Sequence, residues 1–296
     1  MKTLNQFVNL LQNLFQNKNV KSAVTSKYAQ EPAMALITED VDLEKEYSPS
    51  RWSKRFPSAH AVLQHHVNLV TADSPILVFV HGGYWQELSR EVSRYPAEPL
   101  HRFRIKTIVV GYDLCPSATL PEIVNQIQNA AHFIFEYAEK MGSRGVYFIG
   151  HSAGAHLVSK LLANADFLEN APGSQRLQGA FLISGIYDLR EIIHTTNNDA
   201  IQLPEEWAVP MSPQFDDFTH LQARKIRVFI LAGQNDSPTF KKQSREFFEL
   251  LHNTCLMQNM FLEIKDDMDH FDIVECFAND NNYLKNLLIH DIRKNL

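Results

Sequence analysis

Ser152 lies in Gly150-His151-Ser152-Ala153-Gly154, the spacing of a sharp turn that lifts a nucleophilic hydroxyl into a cleft. The two glycines leave room for the strand before the turn and the helix after it to pack closely. The N–H of Ala153, at the helix start, can then face developing negative charge. About 70 residues upstream stands His81-Gly82-Gly83-Tyr84-Trp85. Gly82 and Gly83 lack side chains that would block their N–H groups, so with Ala153 they form a candidate oxyanion hole for acyl transfer. His81 is read as a structural hydrogen-bonding residue. Tyr84 and Trp85 are candidates either to receive a planar ring of the substrate or to pack behind the loop.

A serine hydroxyl needs a base, and the base needs an orienting acid. Asp236, in Gly233-Gln-Asn-Asp-Ser-Pro238, and His270, in Asp269-His270-Phe271, follow two late apolar runs in the order Ser, Asp, His. Asp188 is the runner-up acid, although a structural role suits it better. His252 and His290 are expected on the surface. His60, His65 and His66 have no thiolate or carboxylate partner at ligand spacing, so no metal site is expected.

These residues need a scaffold that delivers them to one place. Six short apolar runs (Ile76–Val80, Thr107–Val110, Val146–Ile149, Gly179–Ile183, Val228–Leu231, Met260–Ile264) alternate with helical patterns such as Pro121–Met141 and His156–Ala165. Alternation of this kind predicts an α/β fold, a mainly parallel sheet flanked by helices on both faces, with functional loops at the C-terminal strand ends. Residues 190–225 carry Pro204, Pro210 and Pro213 and break the rhythm, which marks a short cap insertion. Leu4, Phe7, Val8, Leu11, Leu14 and Phe15 recur at helical spacing in residues 1–30, a segment with four lysines and no acid. It reads as an N-terminal amphipathic arm, with residues 31–296 as the catalytic domain; a targeting role for the arm stays open.

The 296 residues carry 28 Lys and Arg against 34 Asp and Glu, a net charge of −6 with no long basic run. That excludes a nucleic-acid or anionic-membrane footprint and leaves a small molecule as the expected partner. No apolar stretch reaches the roughly 20 residues that span a bilayer. Three scattered cysteines (Cys115, Cys255, Cys276) without a Cys-x-x-Cys pair fit a reducing, cytoplasmic compartment, and Cys115 reads as a small buried residue. A homodimer stays open as the assembly.

The turn, the His-Gly-Gly loop and the Asp/His order together resemble α/β-hydrolases of the hormone-sensitive-lipase-like branch. Fuller strings narrow the resemblance. His81-Gly-Gly-Tyr-Trp-Gln86, Tyr112-Asp-Leu-Cys-Pro116 followed by Leu120-Pro-Glu-Ile-Val124, and Tyr47-Ser-Pro-Ser-Arg-Trp52 are similar to kynurenine formamidases (arylformamidases), with landmarks over roughly residues 45–280. The resemblance implies an α/β-hydrolase fold, Ser152, Asp236 and His270 as the triad, Gly82 and Gly83 as the oxyanion loop, and no cofactor. It also implies an aryl formamide substrate, N-formyl-L-kynurenine, and so a place in tryptophan catabolism. A broad carboxylesterase with the same triad and a non-catalytic ligand-binding protein of this fold are the competing readings.

Overall fold

Ile76-Leu-Val-Phe-Val80 has no polar position, as befits a strand covered on both faces. The computed structural model describes residues 71–278 and 283–294, in which this run is β1. It is followed by β2 (Lys106–Val110), β3 (Val146–His151), β4 (Leu177–Ile183), β5 (Arg227–Gly233) and β6 (Met260–Lys265). All pair in parallel in the order β2-β1-β3-β4-β5-β6. The four longer helices are α1 (Leu120–Lys140), α2 (Ala153–Ala163), α3 (Pro238–Glu249) and α4 (Tyr283–Lys294). The arm expected at residues 1–30, the string at Tyr47–Trp52, and His60, His65 and His66 lie outside the described residues.

Alternate residues of a strand face opposite sides of the sheet. Ile76, Val78 and Val80 enter one apolar core, where Ile123, Ile127 and Phe135 of α1 and Leu157 and Leu161 of α2 meet them. Leu77 and Phe79 enter the other, closed by Leu284, Leu288 and Ile292 of α4. α1 starts where Thr119 caps it, its N–H donating to the Glu122 carboxylate at 2.8 Å, and Pro121 stands in the first turn, where no N–H is needed. α2 begins at Ala153, three residues before the expected His156, because helical geometry resumes directly after the break at Ser152.

Register brings the functional loops together. Val80 pairs with Gly150, His151 with Ile183, and Gly233 with Lys265, so the C-terminal ends of β1, β3, β4, β5 and β6 form one rim. From β1 the chain runs outward to β2 and then crosses back to β3 on the other side of β1, so the strand order reverses between β1 and β3. That reversal opens a crevice at their ends, the place where open α/β sheets bind ligands. Residues 190–225 fold as short helices at Asn198–Ile201, Glu205–Ala208 and Thr219–Ala223, joined by turns. α2 holds this segment through His156 Nε2, 2.7 Å from the Met211 carbonyl, and through Lys160, which pairs with Asp216 at 2.6 Å. Among the described residues no helix is long and apolar enough to cross a membrane.

Gly154 is the tightest point of this packing. A Cβ there would run into the carbonyl oxygen of Val80, and one at Gly150 into the carbonyl of Gly154. Both obstacles are backbone, which has little freedom to yield. Gly154→Ala is therefore expected to destabilise the fold by about 1–3 kcal/mol, read as a lower denaturant midpoint with an unchanged slope.

Candidate active site

Ser152 has φ 54° and ψ −118°, a conformation that costs a non-glycine residue on the order of 1–3 kcal/mol. The surrounding contacts hold it there. Its N–H donates to the Ile183 carbonyl at 2.8 Å, extending the β3–β4 ladder, while its own carbonyl accepts from Ala155 at 3.0 Å and starts α2. The residue ends at the lip of a cavity of about 980 Å³ whose walls include Gly82, Gly83, Tyr84, His270 and Phe240.

The same cavity brings Ser152, Asp236 and His270 together from three different loops. His270 Nδ1 lies 3.1 and 3.2 Å from the two oxygens of Asp236. A carboxylate only accepts, so Nδ1 carries the proton and the Nε2 lone pair is left free to act as a base. Burial pushes the Asp236 carboxyl up, but the His270 contact, the neighbouring Ser184 hydroxyl and the Ser237 N–H, 2.8 Å away, outweigh it and hold the group below the usual carboxylate range. Phe240 and Phe271 stand edge-on to the His270 ring, at 4.6 and 5.3 Å between centroids. Asp188 is engaged elsewhere: Arg190 grips both its oxygens at 2.7–3.1 Å.

The N–H groups of Gly82, Gly83 and Ala153 donate to no backbone acceptor among the described residues, which leaves them available to an anion. Gly83, at φ +98°, turns the loop back, its carbonyl accepting from Gln86 and Glu87 at 2.9 Å. Tyr112, beyond β2, secures the loop from beneath. Its hydroxyl reaches the carbonyls of His81 (3.0 Å) and Gly82 (3.1 Å), and its ring stacks on His81 at 4.3 Å. His81 donates through Nδ1 to the Gly82 carbonyl at 2.9 Å, and burial lowers its pKa, so it props the loop as a neutral ring.

The two expected ring-binding aromatics part company. Tyr84 lines the cavity, while Trp85 is fully buried, edge-on to His156 at 4.9 Å, and does not reach it. The assignment of Trp85 to substrate binding is therefore corrected to core packing. Both residues have left-handed backbones, φ 47° and 59°, so the simple alternation of neighbouring side chains does not apply. Tyr84 and Phe240 also border a second cavity of about 240 Å³ that reaches Ile192, Thr195 and Asn197. Phe240, Tyr112 and Ser184 were not singled out from sequence. Only Tyr112 carried a signal, as the first residue of the Tyr-Asp-Leu-Cys-Pro string. Among the described residues no group of three His, Cys, Asp or Glu side chains converges as metal ligands.

Against known proteins, a family model described as BD-FAE matches residues 66–251. A kynurenine formamidase of Salmo salar is 31% identical over 284 residues, covering 84% of this chain and 95% of that protein. One from Danio rerio is 32% identical over 289 residues, covering 86% and 96%. Among solved structures, a Pyrobaculum calidifontis esterase superposes with a TM-score of 0.63 at 16% identity, covering 76% of this chain and 77% of that one. That likeness shows the fold alone, an α/β-hydrolase fold.

Two expectations follow from this geometry. Removing the hydroxyl in Tyr112→Phe frees the loop carbonyls without opening a large void. Turnover of an activated ester such as p-nitrophenyl acetate is expected to fall about 5- to 30-fold in kcat, less than the loss of an oxyanion donor itself, with KM within about twofold. The second concerns acid stability, read from the midpoint of urea unfolding at pH 7.5, 6 and 5. Burial pushes His151 and His156 down to about 3, while the unfolded chain takes up protons at these rings near pH 6.5. Their contribution is thus complete above pH 6.5 and is lost as the pH falls towards 3, at up to roughly 1.4 kcal/mol per pH unit for each ring. His156→Gln is expected to flatten that pH dependence.

Proposed function

The chain belongs to the kynurenine formamidase family, and from that premise we propose that it hydrolyses N-formyl-L-kynurenine to L-kynurenine and formate. Ser152 is the nucleophile, His270 the general base and acid, and Asp236 the group that orients and charge-matches the imidazole. The observation that carries this reading is the Nδ1 contact of His270 with Asp236 at the mouth of the cavity that Ser152 lines.

His270 Nε2 takes the hydroxyl proton as Ser152 Oγ bonds to the formyl carbon. The carbonyl electron pair moves onto oxygen, and the N–H groups of Gly82, Gly83 and Ala153 hold the oxyanion. As the tetrahedral centre collapses, the C–N bond breaks and protonated His270 gives its proton to the departing aryl nitrogen. Kynurenine leaves and a formyl ester of Ser152 remains. Water then attacks that ester with His270 again as base, and formate departs as the serine hydroxyl is restored.

The acyl part of this substrate is a single carbon, so little room is needed beside Gly82 and Gly83. The leaving group is larger, with a planar ring and an amino-acid end. Tyr84 and Phe240 offer flat apolar walls for the ring, and the second cavity beyond them extends in the direction of residues 192–197. We extend this reading to a cytoplasmic compartment, which the three cysteines buried as thiols support.

The deciding measurement is kynurenine release, followed by absorbance, against hydrolysis of p-nitrophenyl acetate. The specificity constant is expected to favour the formamide, with Ser152→Ala abolishing turnover of both and leaving the thermal midpoint nearly unchanged. A specificity constant that strongly favours the ester would overturn the substrate assignment in favour of a broad carboxylesterase. Retained hydrolysis in Ser152→Ala would remove Ser152 from the mechanism.

A further inference from the structure

His151 takes no chemical part in the reaction above, yet its side chain meets both the loop of His270 and the loop of Gly82. It is the last residue of β3 and directly precedes Ser152. Its Nε2 lies 2.8 Å from the main-chain carbonyl oxygen of His270, 119 residues away, and the two rings are 4.8 Å apart between centroids. A carbonyl only accepts, so Nε2 carries a proton, and burial keeps the ring neutral. On its other side the ring packs against the oxyanion loop: a Cβ on Gly82 would lie 3.2 Å from His151 Nδ1 and 3.0 Å from Ser152 Cβ.

We infer that His151 is a positioning residue, holding the loop of the base at a set distance from the turn of the nucleophile through its Nε2–H bond to the His270 carbonyl. The inference rests on the triad reading above. His270 stands on a segment whose neighbours Asp266, Asp267 and Phe271 are exposed, and which the Asn235 N–H ties at the Met268 carbonyl, 2.9 Å away. Asp236 fixes the imidazole at Nδ1 but leaves the ring free to move with its backbone. The bond from His151 fixes that backbone and takes its reference from the residue adjoining Ser152. The anchor on the ring and the anchor on the main chain of His270 itself together define where Nε2 points. Misplacement by about 1 Å can cost on the order of 100-fold in rate.

The test compares two side chains of similar reach at this position. His151→Gln keeps an N–H donor near the place of Nε2, and His151→Met removes it. The expected result is a fall in kcat of about 10- to 100-fold for His151→Met with KM within twofold, and recovery to within about threefold of the parent for His151→Gln. The rate at which a fluorophosphonate labels Ser152 in the soluble, folded fraction is expected to follow the same order, which keeps the comparison readable if the methionine variant folds poorly. A methionine variant that keeps kcat and labelling within twofold of the parent would overturn the inference. So would a glutamine variant that loses as much as the methionine one at an equal thermal midpoint. Rates are taken on both N-formylkynurenine and p-nitrophenyl acetate. An inert formamide beside an active ester would defeat the substrate reading and leave the effect of His151 measurable on the ester.

Discussion

The close approach of the Ser152 turn to the end of β1 is the constraint on which the site depends. Gly154 sits against the Val80 carbonyl and Gly150 against Gly154, leaving no space for a Cβ at either position. That contact holds Ser152 in a conformation it would not adopt unaided and seats the start of α2 beside the His-Gly-Gly loop. Ser152 and the expected oxyanion donors therefore share a single rigid junction. The sheet beneath supplies the rigidity, since both of its faces are buried and its strand ends lie in register.

Around that junction the histidines separate into one that faces a carboxylate and several buried as hydrogen-bonding props. His81, His151 and His156 are buried, and their pKa values are pushed down, so they serve as neutral hydrogen-bonding rings. His270 alone of these four faces a carboxylate held in its charged form. A protonated imidazole is thus disfavoured at the three buried rings. Such a division fits the proposed role of His270 as the base.

The aromatic residues show how one wall of the cavity is built. Two successive left-handed residues, Tyr84 and Trp85, send one ring into the cavity and the other into the core. Trp85 packs edge-on to His156, and its carbonyl accepts from the Cys115 N–H at 2.8 Å, so the buried ring anchors the half-buried one beside it. Phe240, on the first turn of α3, stands edge-on to the His270 ring.

Much of this was legible from residues alone. Apolar runs without polar interruption mark strands buried on both faces, and their alternation with helical patterns determines a parallel sheet, because parallel neighbours need a crossover between them. Gly-x-Ser-x-Gly and His-Gly-Gly, each directly after such a run, are local in sequence because a turn is local in space. Asp236 could be preferred over Asp188 by chain order, but only the fold explains the preference, since Arg190 occupies Asp188 and leaves Asp236 for His270. The start of α2, the burial of Trp85, the Tyr112 prop and the tie from His151 to His270 had no legible signal or an ambiguous one. Each depends on backbone geometry or on partners 30 to 119 residues apart. A single chain read in order carries the periodicity of its elements; which carbonyl meets which ring is decided only when those elements pack.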